Sequence, residues 1–527
     1  MRGLIGYTGF VGGNILQQAR FDRFYNSSNI EDIRGKSFDL LVSAGTSALV
    51  WLANKEPEKD LEAINKLIRS LQYVKAKKFV LISTIHVYPN PIGVDEDSKV
   101  DIVHQQPYGK HRFLLENFVS KHFDATILRL PHIFGEGIKK GPIYDLLNKN
   151  QIENIDSRSA LQCYNLACIW KDVTIALKNN LKILNVAIEP VSVKEIARYA
   201  FGMEFENKTA AQPLKCDFHT KHAKIWGNNS KYLYDKRVVL EDLKKFVENY
   251  KNHKLKLAVS NIGWNSSEEE GIKKILLEGG VGGIEVSPDR LFNKKLEFDD
   301  NKIIQYRNFW RKSNIDLVSM QGILFSKDNL EIFKSEENRR GTIAYLKKII
   351  SVSEKLGVKV VMFGSPKNRK RNGLTTEEAD AIAIPSFREL AKCAYDRGMY
   401  FCIEHNPKEY GSDYVETASE ALILAKKVNH PGFGINIDTG ALVLSGDTSE
   451  TIISCGNYIN HFHISQPYLS SVENIDENVH KYFASALRKI KYKGWVSIEI
   501  ERSKDPRESN IERIKNSIRT VKRVYGL

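Results

Sequence analysis

The 527 residues contain no cysteine pairing signal: Cys163, Cys168, Cys216, Cys393, Cys402 and Cys455 are scattered, with no C-x-x-C spacing, which excludes a disulfide framework and a zinc ribbon. No apolar run approaches the length of about 20 residues that a bilayer-spanning helix needs. Met1-Arg2-Gly3-Leu4-Ile5-Gly6 opens a strand, not a signal peptide, so a cytoplasmic chain without a membrane partner is expected. The net charge of +14 is spread along the chain without a long Lys/Arg block or aromatic interleaving, which argues against nucleic acid and leaves anionic small molecules. With 42% hydrophobic and 27% charged residues the chain is globular, and it is too long for one core, so two domains are expected.

What is present is a series of buried-strand patterns that stop at polar groups. Phe401-Cys402-Ile403 runs into Glu404-His405-Asn406, and Gly434-Ile435-Asn436-Ile437 runs into Asp438. Ile459-Asn460-His461-Phe462 ends at His463, and Trp495-Val496-Ser497-Ile498 ends at Glu499. Such a run delivers its last side chain to the C-terminal end of a strand, which is the active face of an α/β barrel. A Glu, an Asp, a His and a Glu from four strands form a candidate divalent-metal site. His461 is read as facing away from His463, so that at most one of the two ligates. Eight candidate strands, at 256–262, 283–287, 315–321, 358–363, 399–404, 433–438, 459–464 and 495–500, are separated mostly by helical patterns. That is the rhythm of a (β/α)8 TIM barrel.

The first half alternates differently. Gly6, Gly9 and Gly12 lie three apart between a short apolar strand and the helix-like Asn14–Ala19. Glycines there let backbone approach a pyrophosphate, and the helix N-terminus offers unpaired N–H groups. Apolar runs at 23–25, 38–45, 79–84 and 126–130 alternate with helical patterns, which predicts a Rossmann-type doubly wound parallel sheet. Residues 141–245 form a smaller substrate-binding part, and the charged helical stretch Asp235–Lys254 places the boundary near 250. The expected domains are therefore 1–250 and 251–527.

Gly6-x-x-Gly9-x-x-Gly12, Ser83-Thr84-Ile85-His86-Val87-Tyr88, Pro107-Tyr108-Gly109-Lys110-His111-Arg112 with Glu116, and Arg129-Leu130-Pro131-His132-Ile133-Phe134-Gly135 occur in that order. This resembles the extended short-chain dehydrogenase/reductase family of nucleotide-sugar epimerases, dehydratases and reductases. The resemblance implies an NAD or NADP site at Gly6, Thr8, Gly9, Phe10, Val11, Gly12, Ala44, Gly45, Tyr108, Arg112 and Pro131. It makes Tyr108 the acid/base and Thr84 the hydroxyl that positions the substrate oxygen. Arg112 stands where the family has lysine, keeping the charge but with fork geometry and no exchangeable proton. Ile85-His86 replaces the Asp-Glu pair of the 4,6-dehydratases, which favours an epimerase or reductase. Asn26-Ser27 replaces the usual ribose-binding acid and leaves NAD against NADP open.

With Gly283-Ile284-Glu285 near strand two and Phe363-Gly364-Ser365-Pro366 after strand four, the second half resembles the xylose-isomerase-like barrel superfamily. The family's metal ligands map onto Glu404, Asp438, His463 and Glu499, an O/N set that suits Mn, Mg, Co or Zn. The resemblance implies proton transfer through an enediolate, with Glu404 and Glu499 as proton carriers. Glu285, His405 and Asn406 are expected to touch substrate, and Lys367 and Arg369 to clamp a phosphate or carboxylate. Asp438-Thr439-Gly440-Ala441 lacks the histidine of the related zinc DNA-repair endonucleases. The expectation is a bifunctional enzyme acting on a sugar, sugar phosphate or nucleotide sugar, with its oligomeric state open. In the alternative only the barrel is catalytic, as isomerase or lyase, and the first half is a nucleotide-binding sensor or structural partner.

Overall fold

The computed structural model describes residues 1–251, 254–290, 299–325 and 327–527. It divides into two compact units, Met1–Asn252 and His253–Leu527. Of the charged stretch before the junction, Lys236–Lys251 is helical, and Asn252 and His253 lie outside the described residues.

The first unit is built on a six-stranded parallel sheet. Its strands β1 (Arg2–Ile5), β2 (Arg23–Tyr25), β3 (Ser37–Ser43), β4 (Lys75–Thr84) and β5 (Ala125–Leu130) are joined by Ile183–Asn185 at one edge, in the order β2-β1-β3-β4-β5-183. Every position of β5 is buried, as a central strand covered on both faces demands. Strand order reverses between β1 and β3, and the crevice above that switch point is where doubly wound sheets bind ligands. A buried ion pair ties the sheet to the helix Pro107–His122: Arg129 donates to Glu116 at 2.6 Å and to the Tyr88 hydroxyl at 2.6 Å, and Ser83 donates to Glu116 at 2.6 Å.

The second unit is a closed barrel of eight parallel strands. In order they are Lys256–Ser260, Gly283–Val286, Asp316–Met320, Val360–Phe363, Tyr400–Glu404, Phe433–Asp438, Ile459–Ile464 and Trp495–Ile498, called here the first to eighth barrel strands. They match the eight expected runs to within a couple of residues. Alternation along each strand separates two cores. Phe401, Ile403, Ile435, Ile437, Phe462, Ile464, Val496 and Ile498 join the apolar layer under the helices. Val360, Met362 and Cys402 form a separate small apolar cluster. The polar strand-end groups stand above these residues, at the C-terminal ends.

Candidate functional site

The four strand-end groups of the barrel come together. One ligand atom from each of Glu404, Asp438, His463 and Glu499 lies within 4.8 Å of the others. His463 Nδ1 is 2.9 Å from Glu499 Oε2, 3.1 Å from Glu404 Oε1 and 3.9 Å from Asp438 Oδ2. Neighbouring groups hold two of these carboxylates. Asn436 donates to Glu404 Oε1 at 2.5 Å, and Asp438 accepts the Ala441 N–H at 2.7 Å as the N-cap of the helix Thr439–Ser445. The Ser465 hydroxyl donates to the other Asp438 oxygen.

The electrostatics are those of a cation site. Burial pushes the Asp438 carboxyl up to about 7, helped by the charges of Glu499 and Glu404. Burial also raises Glu499. Burial alone would lower His463, but the charges of Glu285 and Glu499 outweigh it and raise the imidazole well above its usual range. A buried, all-oxygen-and-nitrogen donor set with this excess of negative charge fits a hard or borderline divalent ion.

Of the other five expected barrel contacts, four are buried and Lys367 is exposed. Glu285 is fully buried and faces the far edge of the His463 ring, not the mouth: its Oε2 is 3.1 Å from His463 Nε2 and 2.8 Å from His461 Nε2. His461 therefore shares the inward face with His463, because strand residues two apart point the same way. His405 follows Glu404 just beyond the strand and is fully buried, with its imidazole pushed down to about 4 by burial. The Asn406 amide is used within the chain turn, donating to the Glu404 carbonyl at 3.3 Å, while its N–H donates to Val415 O at 3.0 Å. Lys367 is exposed, and Arg369 is 0% exposed beside Glu404.

One residue that the sequence reading missed is Tyr410. It follows the fifth barrel strand, and its phenol lies in the field of Asp438, Glu404 and Glu499, which together with burial keep it protonated. Its hydroxyl accepts the Tyr468 N–H at 3.0 Å, and the two rings meet edge to face at 5.7 Å. Tyr468 and Leu469 both have left-handed backbone, at φ 60° and 54°, so a strained loop after the seventh strand is tied to the loop after the fifth. No periodic pattern marks Tyr410; only its nearness to Glu404 in sequence could have drawn attention to it.

In the first unit the glycine turn is packed too closely for side chains at Gly6 and Gly12. Gly6 has φ +82°, and a Cβ there would sit 2.5 Å from the Ala44 carbonyl oxygen. A Cβ on Gly12 would sit 2.1 Å from the Gly6 oxygen. The helix Phe10–Gln18 starts at Gly9 with no side-chain cap and no acid in its first turn. Thr8, Gly9 and Gly45 are exposed around it, and Phe10, Val11, Ala44 and Pro131 are half-buried. An open, uncapped helix N-terminus at the switch point fits an anionic pyrophosphate.

Tyr108 hydrogen-bonds Thr84, whose hydroxyl oxygen accepts the His86 N–H at 3.2 Å, and the His86 ring stands edge-on to Tyr108 at 5.7 Å. Arg112 is held by chain partners beside Tyr108. It is 2% exposed, paired with Asp60, donates to the Ser47 carbonyl at 2.6 Å, and lies 3.9 Å over the Tyr108 ring. His111 shares the same carboxylate at 2.7 Å. Burial raises the Tyr108 phenol, while Arg112 and Thr84 oppose that rise and Asp60 adds to it.

Two family models match this chain. The xylose isomerase-like TIM barrel model covers residues 274–523, and the NAD dependent epimerase/dehydratase family model covers 25–157. The barrel thus resembles the first family and part of the N-terminal unit the second. Both are enzyme families, and the NAD-dependent one suggests an NAD(P) cofactor. The comparison with curated proteins found no match.

Similar solved structures include a D-psicose 3-epimerase in the presence of D-fructose, at 17% identity over 52% of this chain and 100% of that one, with TM-score 0.44. An L-ribulose 3-epimerase is 14% identical over 52% of this chain and 95% of its own, with TM-score 0.43. The 3-keto-D-glucoside 4-epimerase YcjR from E. coli is 17% identical over 51% and 100%, with TM-score 0.42. Among the described residues no helix is long and apolar enough to cross a membrane.

Proposed function

We propose that the chain is a carbohydrate-modifying enzyme whose barrel isomerises or epimerises a sugar or sugar phosphate with one divalent ion held by Glu404, Asp438, His463 and Glu499. The observation that carries this reading is the meeting of four donor atoms from four successive strands within 4.8 Å. An ion held there would supply Lewis-acid polarisation of the substrate's oxygens, which would acidify the adjacent C–H. The proton chemistry belongs to the chain. Glu404 turns Oε1 and Glu499 turns Oε2 toward His463, so the second oxygen of each carboxylate takes and returns the substrate proton. The two stand on the fifth and eighth strands, flanking Asp438 and His463, which lets one act on each face of the substrate carbon.

The first domain, in this reading, binds NAD(P) at the glycine turn and acts as an epimerase or reductase on a related sugar or nucleotide sugar, with Tyr108 and Thr84 at the reacting oxygen. A second reading is favoured by one observation: Arg112 is spent on Asp60 and Ser47 and leaves Tyr108 without a mobile cation. The first domain then binds nucleotide without hydride chemistry, and the barrel alone is catalytic.

Metal analysis of the purified chain tests the barrel. The Glu404→Gln, Asp438→Asn double variant should lose a bound divalent ion that the parent retains, and retention would sink the reading. Product mass separates isomerisation, which conserves it, from a lyase reaction, which lowers it by one water. Reduction of added NAD or NADP across a panel of sugars and nucleotide sugars, in the parent and in Arg112→Lys, decides between the two readings of the first domain.

A further inference from the structure

We propose that Glu285 is a positioning residue for the metal-ligating histidine, holding His463 in the tautomer that turns its Nδ1 lone pair toward the site, with His461 and Ser319 holding Glu285 in turn. This rests on the metal-site reading above. His463 presents its two ring nitrogens to two separate carboxylate groups. Nδ1 faces Glu404, Asp438 and Glu499, and Nε2 lies 3.1 Å from Glu285 Oε2 on the other side of the ring.

A neutral imidazole has one N–H and one lone pair. With the proton on Nε2, the N–H donates to Glu285 and the lone pair at Nδ1 is presented to a cation. The other tautomer would set that lone pair against the Glu285 carboxylate and point an N–H at the ligand oxygens. Glu285 thus selects the ligating form and fixes the ring plane, the role that carboxylates behind metal-bound histidines commonly play.

The carboxylate is itself held firmly. Ser319 on the third strand donates its hydroxyl to Glu285 Oε2 at 2.6 Å, and His461 Nε2 approaches the same oxygen at 2.8 Å. Ser319, His461 and Glu285 come from the third, seventh and second strands and are each no more than 1% exposed. The position of the His463 ring is therefore set by the rigid barrel wall and not by a loop.

Ligand atoms of Glu285, His461 and His463 also lie within 4.8 Å of one another, so a second ion is the competing explanation. It is disfavoured because His463 would then ligate through both nitrogens and would have to lose both protons. A hydrogen-bonded layer accounts for the same distances with one proton on each imidazole.

The test uses the full-length chain, stripped of metal, with Mn2+ and Zn2+ titrated calorimetrically and stoichiometry measured by elemental analysis. The parent should take one ion per barrel. Glu285→Gln should bind it roughly 10- to 100-fold more weakly, while the thermal midpoint of its metal-free form stays close to the parent's. Ser319→Ala, which removes one anchor and keeps the carboxylate, should weaken binding in the same direction by a smaller factor, and it decides the matter if Glu285→Gln does not fold. Unchanged affinity in both variants overturns this proposal and leaves the metal site standing. Two ions in the parent, falling to one in Glu285→Gln, overturn it in favour of a second site. A parent that takes up no divalent ion overturns both readings.

Discussion

Adding one methyl group at Gly364 perturbs the candidate metal site without altering a ligand. Gly364 follows the fourth barrel strand, and a Cβ built there would sit 1.9 Å from Glu404 Oε2 and 3.0 Å from Glu404 Cδ. Ordinary van der Waals contact begins roughly 1.5 Å further out, so the carboxylate must move by that much. Gly364 is not among the residues with left-handed backbone, so alanine adds no backbone strain and the effect is purely steric. A displaced Glu404 also gives up the Asn436 bond at 2.5 Å and the His463 contact at 3.1 Å.

Metal–ligand distances tolerate only about 0.2 Å of error. Gly364→Ala should therefore weaken divalent-ion binding about 100-fold, or roughly 3 kcal/mol. The overpacking cost to the metal-free chain should stay near the low end of about 1–3 kcal/mol, because a side-chain end yields more readily than backbone. Calorimetric titration with Mn2+ measures the first quantity and chemical denaturation with a chelator present measures the second. Glu404→Gln is the comparator, and the two variants should lose affinity to a similar degree. Parental affinity in Gly364→Ala would show either that Glu404 is no ligand or that its carboxylate does not lie against Gly364.

Glu116→Gln leaves the Arg129 guanidinium buried without its counter-charge and should cost about 3–5 kcal/mol in the first domain, read as faster hydrogen exchange in β4 and β5; a loss below about 1 kcal/mol would show the pair to be dispensable. Tyr410→Phe removes the acceptor of the Tyr468 N–H, so exchange at that amide should rise about tenfold, whereas divalent-ion affinity should stay as in the parent because the phenol is not a ligand. His480 is 1% exposed, its Nδ1 lies 2.9 Å from the Tyr525 hydroxyl, and burial holds it down at about 4. The fold favours its neutral form, so this stability is full above the unfolded pKa near 6.5 and is lost as pH falls toward 4, by up to about 3 kcal/mol. His480→Asn should flatten that part of the urea-midpoint profile between pH 7.5 and 4.5, and an unchanged slope would refute it.

The barrel strands were legible because each is an apolar run with a clear stop, and the stops themselves carry Glu404, Asp438, His463 and Glu499. Period-2 alternation then tells which neighbours share a face. Applied to His461 it gives a residue turned the same way as His463. His461 is expected from the sequence to face away from His463, and the structure corrects that by this rule. What no local pattern contains is the partner. Glu285 and His463 are 178 residues apart, and Arg112 and Asp60 are 52 apart. The roles of Glu285 and Arg112 depend on those pairings, and no local pattern marks Arg369 as buried.

The two candidate sites differ in how their charges are balanced, and this bears on what each needs. In the first domain Arg112 and His111 are both answered by Asp60, inside a cluster that is nearly closed to solvent. In the barrel, Glu285, Glu404, Asp438 and Glu499 surround His463, with His461 alongside and Arg369 near Glu404. Buried charge of one sign is costly unless something compensates it. The chain keeps Asp438 and Glu499 within reach of each other at the price of a raised Asp438, although an asparagine or glutamine would fill either position without repulsion. Relief of that repulsion by a divalent cation is what the proposed metal site predicts, and among the described residues no comparable acidic cluster surrounds Tyr108.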